Sequence, residues 1–376
     1  MENITHSLMG ATLAELALPR AATPSQRRLF FAAGIIAANL PDADLVYTRI
    51  TAPPLGYLLH HRGHTHTVVG LIVLGMLIWL VSRLPAVSRR IGTLGTRFAA
   101  LVGIALASHL VLDAWNSYGV HPFWPLNDNW FYGDAIFIVE PWLWVLLGVA
   151  LVMNAHSARS RGVVVALLAV CGVGITWIGM ISALTLGVLA LGAFAVAMLF
   201  VRLQPRTRLV TALVMSAVFV NGVFVARHLA EERVLRAIAR GRTTELVDVV
   251  LSSHAANPLC WFAIAIVKDE SANEYTMTRA DVSVADAVSC GRSEHGRVAW
   301  ETPVRQSLTQ LRALVQSDCN VRAWMQFGRA PFIRDHDIGD MRFSDADRGN
   351  FSTMPFGNVP CAAHLTNWGM PRADLL

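Results

Sequence analysis

A chain of 376 residues that is 54% hydrophobic and 15% charged, with a mean hydropathy of +0.46, is too apolar for an ordinary soluble protein of this length. A net charge of +5 would point to nucleic acid in a soluble chain, but Lys268 is the single lysine and the arginines are spread among short loops. The composition therefore excludes a soluble nucleic-acid-binding module and predicts an integral membrane protein whose main partner is the lipid bilayer.

Residues 1–20 carry Glu2, His6 and Glu15 where a signal peptide would have a basic start and a clean apolar core, so the N-terminus is expected to stay in the mature protein. Residues 4–18 predict a helix of about four turns that stops at Pro19, with His6 in its first turn. Thr23-Pro24-Ser25 is a helix start, and the second apolar helix, 26–40, runs into Asn39-Leu40-Pro41-Asp42-Ala43-Asp44. Both are shorter than the ~20 residues that span hydrocarbon. From Val68 onward, segments 67–84, 98–115, 135–153, 163–181, 184–201 and 209–229 are near spanning length, making six spans, or eight if the first two helices cross as well.

Arg83, Arg89, Arg90 and Arg97, then Arg159 and Arg161, then Arg202, Arg206 and Arg208 fall in alternate loops, whereas 115–136 has no Lys or Arg. The positive-inside rule makes the basic loops cytoplasmic, and Arg20, Arg27 and Arg28 do the same for the first loop. The expected location is the inner (plasma) membrane, multi-pass, with His6, Asp42, Asp44 and residues 60–66 emerging on the periplasmic side together with the C-terminal domain.

After about residue 230 the chain turns polar. Residues 227–242 read as a short amphipathic helix, and 247–251, 261–267, 275–278 and 341–343 have strand-like patterns. The expected fold is an all-α polytopic membrane domain over 1–230, a small β-rich extramembrane domain within 231–345, and a loose tail over 346–376. Cys260, Cys290, Cys319 and Cys361 lie in this half; one or two disulfides in an oxidising compartment and four free thiols are both open, and three full pairings exist.

His60, His61, Arg62, Gly63, His64, Thr65 and His66 put four imidazoles beside one arginine. His109 and Asp113, four apart in a segment that must be helical in lipid, share one face. With His6, Asp42 and Asp44 they form one outer-face group, and Asp134 and Glu140 stand near the start of the following span. Imidazole and carboxylate without thiolate suit a divalent metal, zinc foremost, with manganese or iron as alternatives. The nine candidates His6, Asp42, Asp44, His60, His61, His64, His66, His109 and Asp113 exceed the ligands of one tetrahedral ion, so two or more ions are expected, with the remaining residues orienting the ligands. Paired ions suit hydrolysis of a phosphoester or related ester by activated water.

Asp42 or Asp44 would ligate or take the proton. Arg62 would neutralise a phosphate-like oxyanion, or else pair with Asp42 or Asp44. The sequence contains no HExxH, GxxxxGK[ST] or GxSxG pattern, and His121, His228 and His254 read as structural. A second function class is a metal-ion carrier or sensor using the same cluster without catalysis; ligands gathered at one end of the spans favour the enzyme over it. A third makes the outer domain a binder of cell-wall or protein partners. The oligomeric state is left open.

Thr5-His6-Ser7, Leu40-Pro41-Asp42-Ala43-Asp44, the 60–66 stretch and His109-Leu110-Val111-Leu112-Asp113, in that order, resemble the YdjM-type family of membrane-bound metal-dependent hydrolases over residues 1–230. Asn257-Pro258-Leu259-Cys260-Trp261 and Asp340-Met341-Arg342-Phe343 resemble the extension carried by part of that family. The family is in turn distantly similar to the zinc-dependent phospholipase C and P1 nuclease group. The resemblance implies His6, Asp42 or Asp44, one or more of His60, His64 and His66, and His109 with Asp113 as ligands, and phosphodiester or phospholipid-like substrates. The later HxxxE of the soluble group is missing, since only His121, Asp134 and Glu140 follow. A full three-metal site is therefore not implied.

Overall fold

The computed structural model describes residues 1–48, 51, 55–238, 244–293, 297–343, 350–357, 360–361 and 366–376. Helices α1 (Asn3–Ala17) and α2 (Pro24–Asn39) form an antiparallel pair, followed by the short α3 (Asp44–Thr48) and α4 (Leu55–His60). Then come α5 (Val68–Ser82), α6 (Pro85–Ile91), α7 (Gly95–Asp113), α8 (Pro141–Asn154), α9 (Ala158–Trp177), α10 (Ala183–Val201) and α11 (Pro205–Ala237). Thr23 caps α2 in a reciprocal capping box with Gln26, and Pro24 follows at the position where a missing N–H costs nothing.

Among the described residues five helices are long and apolar enough to cross a membrane: Pro24–Thr48, Pro85–Asp113, Ala158–Trp177, Ala183–Val201 and Pro205–Ala237. A sixth arises if Leu55–His66 and Val68–Ser82, bent by 68°, make one broken span. No residue of α5 is buried, and Ile72, Met76 and Trp79 face outward. Such a continuous apolar surface is stable against lipid and not against water. The segment expected to span from 135 is helical only from Pro141, because Ala135 and Ile136 donate instead to the Trp115 carbonyl and hold the chain in a loop.

The C-terminal half is β-rich and antiparallel. Strands β1 (Thr244–His254), β2 (Asn257–Asp269), β3 (Glu274–Ser283) and β4 (Val298–Trp300) lie in that order, with β5 (Val304–Ser307) pairing along the other part of β3. Helices α12 (Leu308–Ser317) and α13 (Cys319–Trp324) lead to a second sheet of β6 (Pro331–Arg334), β7 (Asp337–Asp340) and β8 (Met354–Pro355). Disulfides join Cys260 to Cys290 and Cys319 to Cys361, which selects one of the three pairings.

Three expectations about this half change. The amphipathic helix expected over 227–242 is no separate element, because α11 runs unbroken to Ala237, and residues 239–243 lie outside those described. Its far end carries Ala226, Ala230 and Val234 into a core shared with Val249, Leu251 and Trp261 of the sheet, so burial continues the helix. Residues 341–343 form a turn after β7 rather than a strand. The tail is not loose where it is described: Trp368 and Leu375 are buried in the core that also holds Leu58, Tyr118 and Trp324.

Two buried arginines dock the β-rich half on the helical half. Arg329 makes a bidentate pair with Asp134 at 2.8 and 2.7 Å and reaches Asp248 at 2.7 Å. Arg342 pairs with Asp340 and donates to the Ser117 carbonyl at 2.9 Å. Burial pushes the Asp134 carboxyl up from its ordinary range against the opposing charge of Arg329. At Asp248 burial acts the same way but Arg329 and Arg372 outweigh it, holding the group below its usual value.

Candidate metal centre

Close helix contact creates the site. A Cβ on Gly10 would stand 2.3 Å from the Gly34 carbonyl oxygen, so only glycine lets α1 and α2 approach this nearly. That approach sets the start of α1 against the end of α2, where Asn3 donates to Asp42 Oδ2 at 3.0 Å and Asn39 to Ser7 Oγ at 3.1 Å. The end of α7 packs beside both, and the 60–66 stretch crosses over them. His6, His66, His109 and Asp113 are all sealed from solvent.

The imidazoles of His66 and His109 face each other, Nε2 to Nε2, at 3.0 Å. His109 Nδ1 lies 2.7 Å from the Ala38 carbonyl oxygen, so that nitrogen carries the proton and Nε2 presents a lone pair. His66 Nδ1 is 3.3 Å from Asp44 Oδ2, an acceptor for its proton that leaves Nε2 able to serve as a ligand. Around the two Nε2 atoms stand Asp113 Oδ2, at 3.1 Å from His66 and 3.4 Å from His109, and Asp42 Oδ1, at 3.5 and 3.6 Å. Two imidazole nitrogens and two carboxylate oxygens converging in a mostly buried space need a proton or a cation among them. Asp42, His66, His109 and Asp113 thus have the donors and spacing for one ion.

A second group adjoins the first through a shared carboxylate. Asp42, Asp44 and His61 also offer ligand atoms within 4.8 Å of one another. Asp44 is already heavily engaged, accepting from the Arg62 backbone N–H at 3.0 Å and from Thr65 Oγ1 at 2.8 Å, with His61 Nδ1 at 3.0 Å. It braces the 60–66 stretch from below. Arg62 adopts a left-handed backbone, φ 56°, uncommon for a residue with a side chain, and this turn aims its N–H at Asp44.

The remaining sequence candidates separate clearly. His6 stacks on His109 with ring centroids 3.9 Å apart and brings Nε2 to 3.3 Å from Asp113 Oδ1, making no hydrogen bond through either nitrogen. It borders the four-residue group. His60 turns aside to Thr51 Oγ1 at 2.8 Å, and His64 packs against Trp124 and Trp368, so neither joins either group. Asp134 is taken by Arg329, and Glu140 caps α8 by accepting from the Trp142 N–H at 3.1 Å. His121 lies between Trp130 and Trp368, with its pKa lowered to about 3 by burial.

Arg62 was expected to face a substrate oxyanion or to pair with Asp42 or Asp44. Its guanidinium instead pairs with Asp113 Oδ1 at 3.1 Å, donates to Asn116 Oδ1 at 3.0 Å and lies over the Tyr118 ring. The guanidinium is buried and committed to a carboxylate of the candidate metal group. Sequence reasoning missed Asn116, although it stands three residues beyond Asp113. It also missed the Met1 amino group, which meets Asp113 Oδ1; a terminal amine carries no motif signal.

Residues 1–185 match the model of a family described as YdjM inner membrane protein. No curated protein and no solved structure matches the chain.

Proposed function

We propose, from the premise that the chain belongs through residues 1–185 to the YdjM inner membrane protein family, that it is a multi-pass membrane-bound metal-dependent hydrolase acting on an ester or phosphoester. The observation that carries this reading is the convergence of His66 Nε2, His109 Nε2, Asp42 Oδ1 and Asp113 Oδ2. Zinc suits this donor set best, with manganese or iron next, and the shared Asp42 favours two ions. When bound, a divalent cation supplies Lewis-acid activation of water and neutralises charge on the scissile group.

The chain's own residues divide the remaining work. Asp42 is the member of the four with side-chain access, at 11% exposure, so it is the carboxylate placed to take a proton from an incoming water. Asp44 and the Ala38 carbonyl orient the rings of His66 and His109, and Arg62 holds the Asp113 carboxylate in place through an ion pair. A phospholipid-like substrate fits a site at the end of apolar helices. The alternation of arginines in the loops supports placing that site and the β-rich domain on the periplasmic side.

The near-complete burial of His66, His109 and Asp113 favours one alternative, a metal-ion carrier or sensor that holds an ion without chemistry. Elemental mass spectrometry on detergent-purified protein beside His66→Ala and Asp113→Ala, with turnover of bis(4-nitrophenyl) phosphate and of phospholipid vesicles, separates the two. Bound metal with turnover, both lost in the variants, supports the hydrolase. Bound metal without turnover on any ester supports the carrier or sensor, and a folded wild type without metal overturns both.

A further inference from the structure

A cavity of about 590 Å³ lies between the loop after α7 and the β-rich domain. Its floor is made by Tyr57, Asn116 and Tyr118, and its roof by β1, β2, β3 and the 341–343 turn. The floor adjoins the candidate metal centre directly. Tyr57 stacks on His61 at 5.0 Å, Tyr118 lies 5.8 Å from His61 and beneath Arg62, and Asn116 holds the Arg62 guanidinium.

Two donors at this floor are unsatisfied. Asn116 Oδ1 accepts from Arg62 Nη1 and from the Tyr118 N–H, which fixes the amide's orientation and leaves Nδ2 without a partner. The Tyr118 hydroxyl, also buried, has none either. Leaving a buried donor unpaired is costly, so two on residues that line one cavity mark a place where an acceptor oxygen is brought from outside. Phe137, Ile264, Met341 and Phe343 make one part of the wall apolar, Arg279, Arg342 and Glu301 make another part charged, and the mouth is edged by the half-exposed Phe262 and Phe351.

We infer that this cavity binds a lipid, with an ester or phosphate oxygen of the headgroup at Asn116 and Tyr118 and the hydrocarbon along the aromatic wall under the β-rich domain. The inference rests on the hydrolase reading for its choice of headgroup, and it assigns the β-rich domain a part in the site that the helices alone do not supply. Burying hydrocarbon is favourable, so the apolar part of the wall provides affinity while the two donors set where the scissile group stops.

The test is photolabelling of the full-length protein by hexadecylphosphonate carrying a diazirine in its chain, a probe that no hydrolase can cleave, with the label located by peptide mass spectrometry. Label is expected in β2 and in the 341–343 turn. Ser252→Trp, which fills the cavity from β1, should lower it at least tenfold, and Phe262→Ser at the exposed mouth, where folding is less at risk, several-fold. Tyr118→Phe and Asn116→Asp, the second keeping the oxygen that holds Arg62, should each raise the half-saturating probe concentration by about fivefold, the worth of one hydrogen bond of about 1 kcal/mol. Label confined to the spans, or unchanged in Ser252→Trp and Phe262→Ser, overturns the inference. Equal labelling by the uncharged hexadecanol analogue, with no effect of Asn116→Asp, overturns the assigned headgroup contact. Label in the cavity without hydrolysis of any ester rejects the hydrolase and keeps the lipid site; undiminished hydrolysis in Ser252→Trp does the reverse.

Discussion

Nε2 of His66 lies 3.0 Å from Nε2 of His109, and each ring points its other nitrogen at an oxygen acceptor. Two imidazole nitrogens held face to face by residues 43 positions apart are stable when a proton or a metal cation joins them, and a metal binds both more strongly. Zinc at 100-fold above its dissociation constant should therefore stabilise the protein by about 2.7 kcal/mol, raising Tm by a few degrees. Differential scanning fluorimetry before and after chelation measures this. His66→Ala and His109→Ala should show no metal-dependent rise, and an undiminished rise in both would place the ion elsewhere.

Arg62 is the partner of Asp113 inside the protein. Arg62→Met removes the guanidinium from a buried carboxylate that keeps the Met1 amino group beside it and should destabilise by up to about 3–5 kcal/mol, and Arg62→Lys should recover little because one ammonium cannot reach Asp113 and Asn116 together. Adding Asp113→Asn to Arg62→Met should restore much of the loss in metal-free protein. Thermal unfolding of the four proteins decides it; a stable Arg62→Met that merely turns over more slowly would return Arg62 to a substrate-binding role.

Arg329 joins Asp134 of the loop to Asp248 of β1. Arg329→Met should cost a similar 3–5 kcal/mol and loosen the β-rich half from the helices. Limited proteolysis reports this as new cleavage within 123–131, where Phe123, Leu126 and Phe131 are already exposed. Proteolysis identical to wild type would mean that the apolar contacts of Trp130 and Trp368 suffice for docking.

His121 supplies a pH dependence of known sign. Its pKa falls from 6.5 to about 3 through burial, so the unfolded chain binds a proton in that interval and the folded one does not. Its contribution to stability is whole above pH 6.5 and is lost progressively as pH falls toward 3, by at most about 5 kcal/mol. His121→Phe should flatten that acid limb. Trp130 and Trp368 flank the ring and give a fluorescence signal for the unfolding, and an acid limb identical in wild type and variant would assign it to other groups.

Much of the architecture was legible because lipid leaves the backbone few choices. Apolar runs in a bilayer must be helical to satisfy their own N–H and C=O groups, so α5, α7, α9, α10 and α11 could be placed from composition alone. The four-residue spacing of His109 and Asp113 then dictated a shared face, and Asp42 and His66 belonged to motifs dense enough to stand out. Alternating polarity likewise marked β1, β2 and β3.

Which histidines of the 60–66 stretch turn inward was decided by tertiary structure. A left-handed residue at Arg62 and the acceptors on Asp44 send His66 and His61 one way and His60 and His64 another, and no periodicity in seven irregular residues encodes that. The partners of Arg62, Asp134 and Trp368 were equally hidden. Arg329 lies 195 positions from Asp134, and Trp368 donates to the Leu59 carbonyl from 309 positions away. Local sequence sets helix, strand and face through short-range sterics and hydrogen bonding, whereas the pairing of buried charges depends on which distant groups packing brings together.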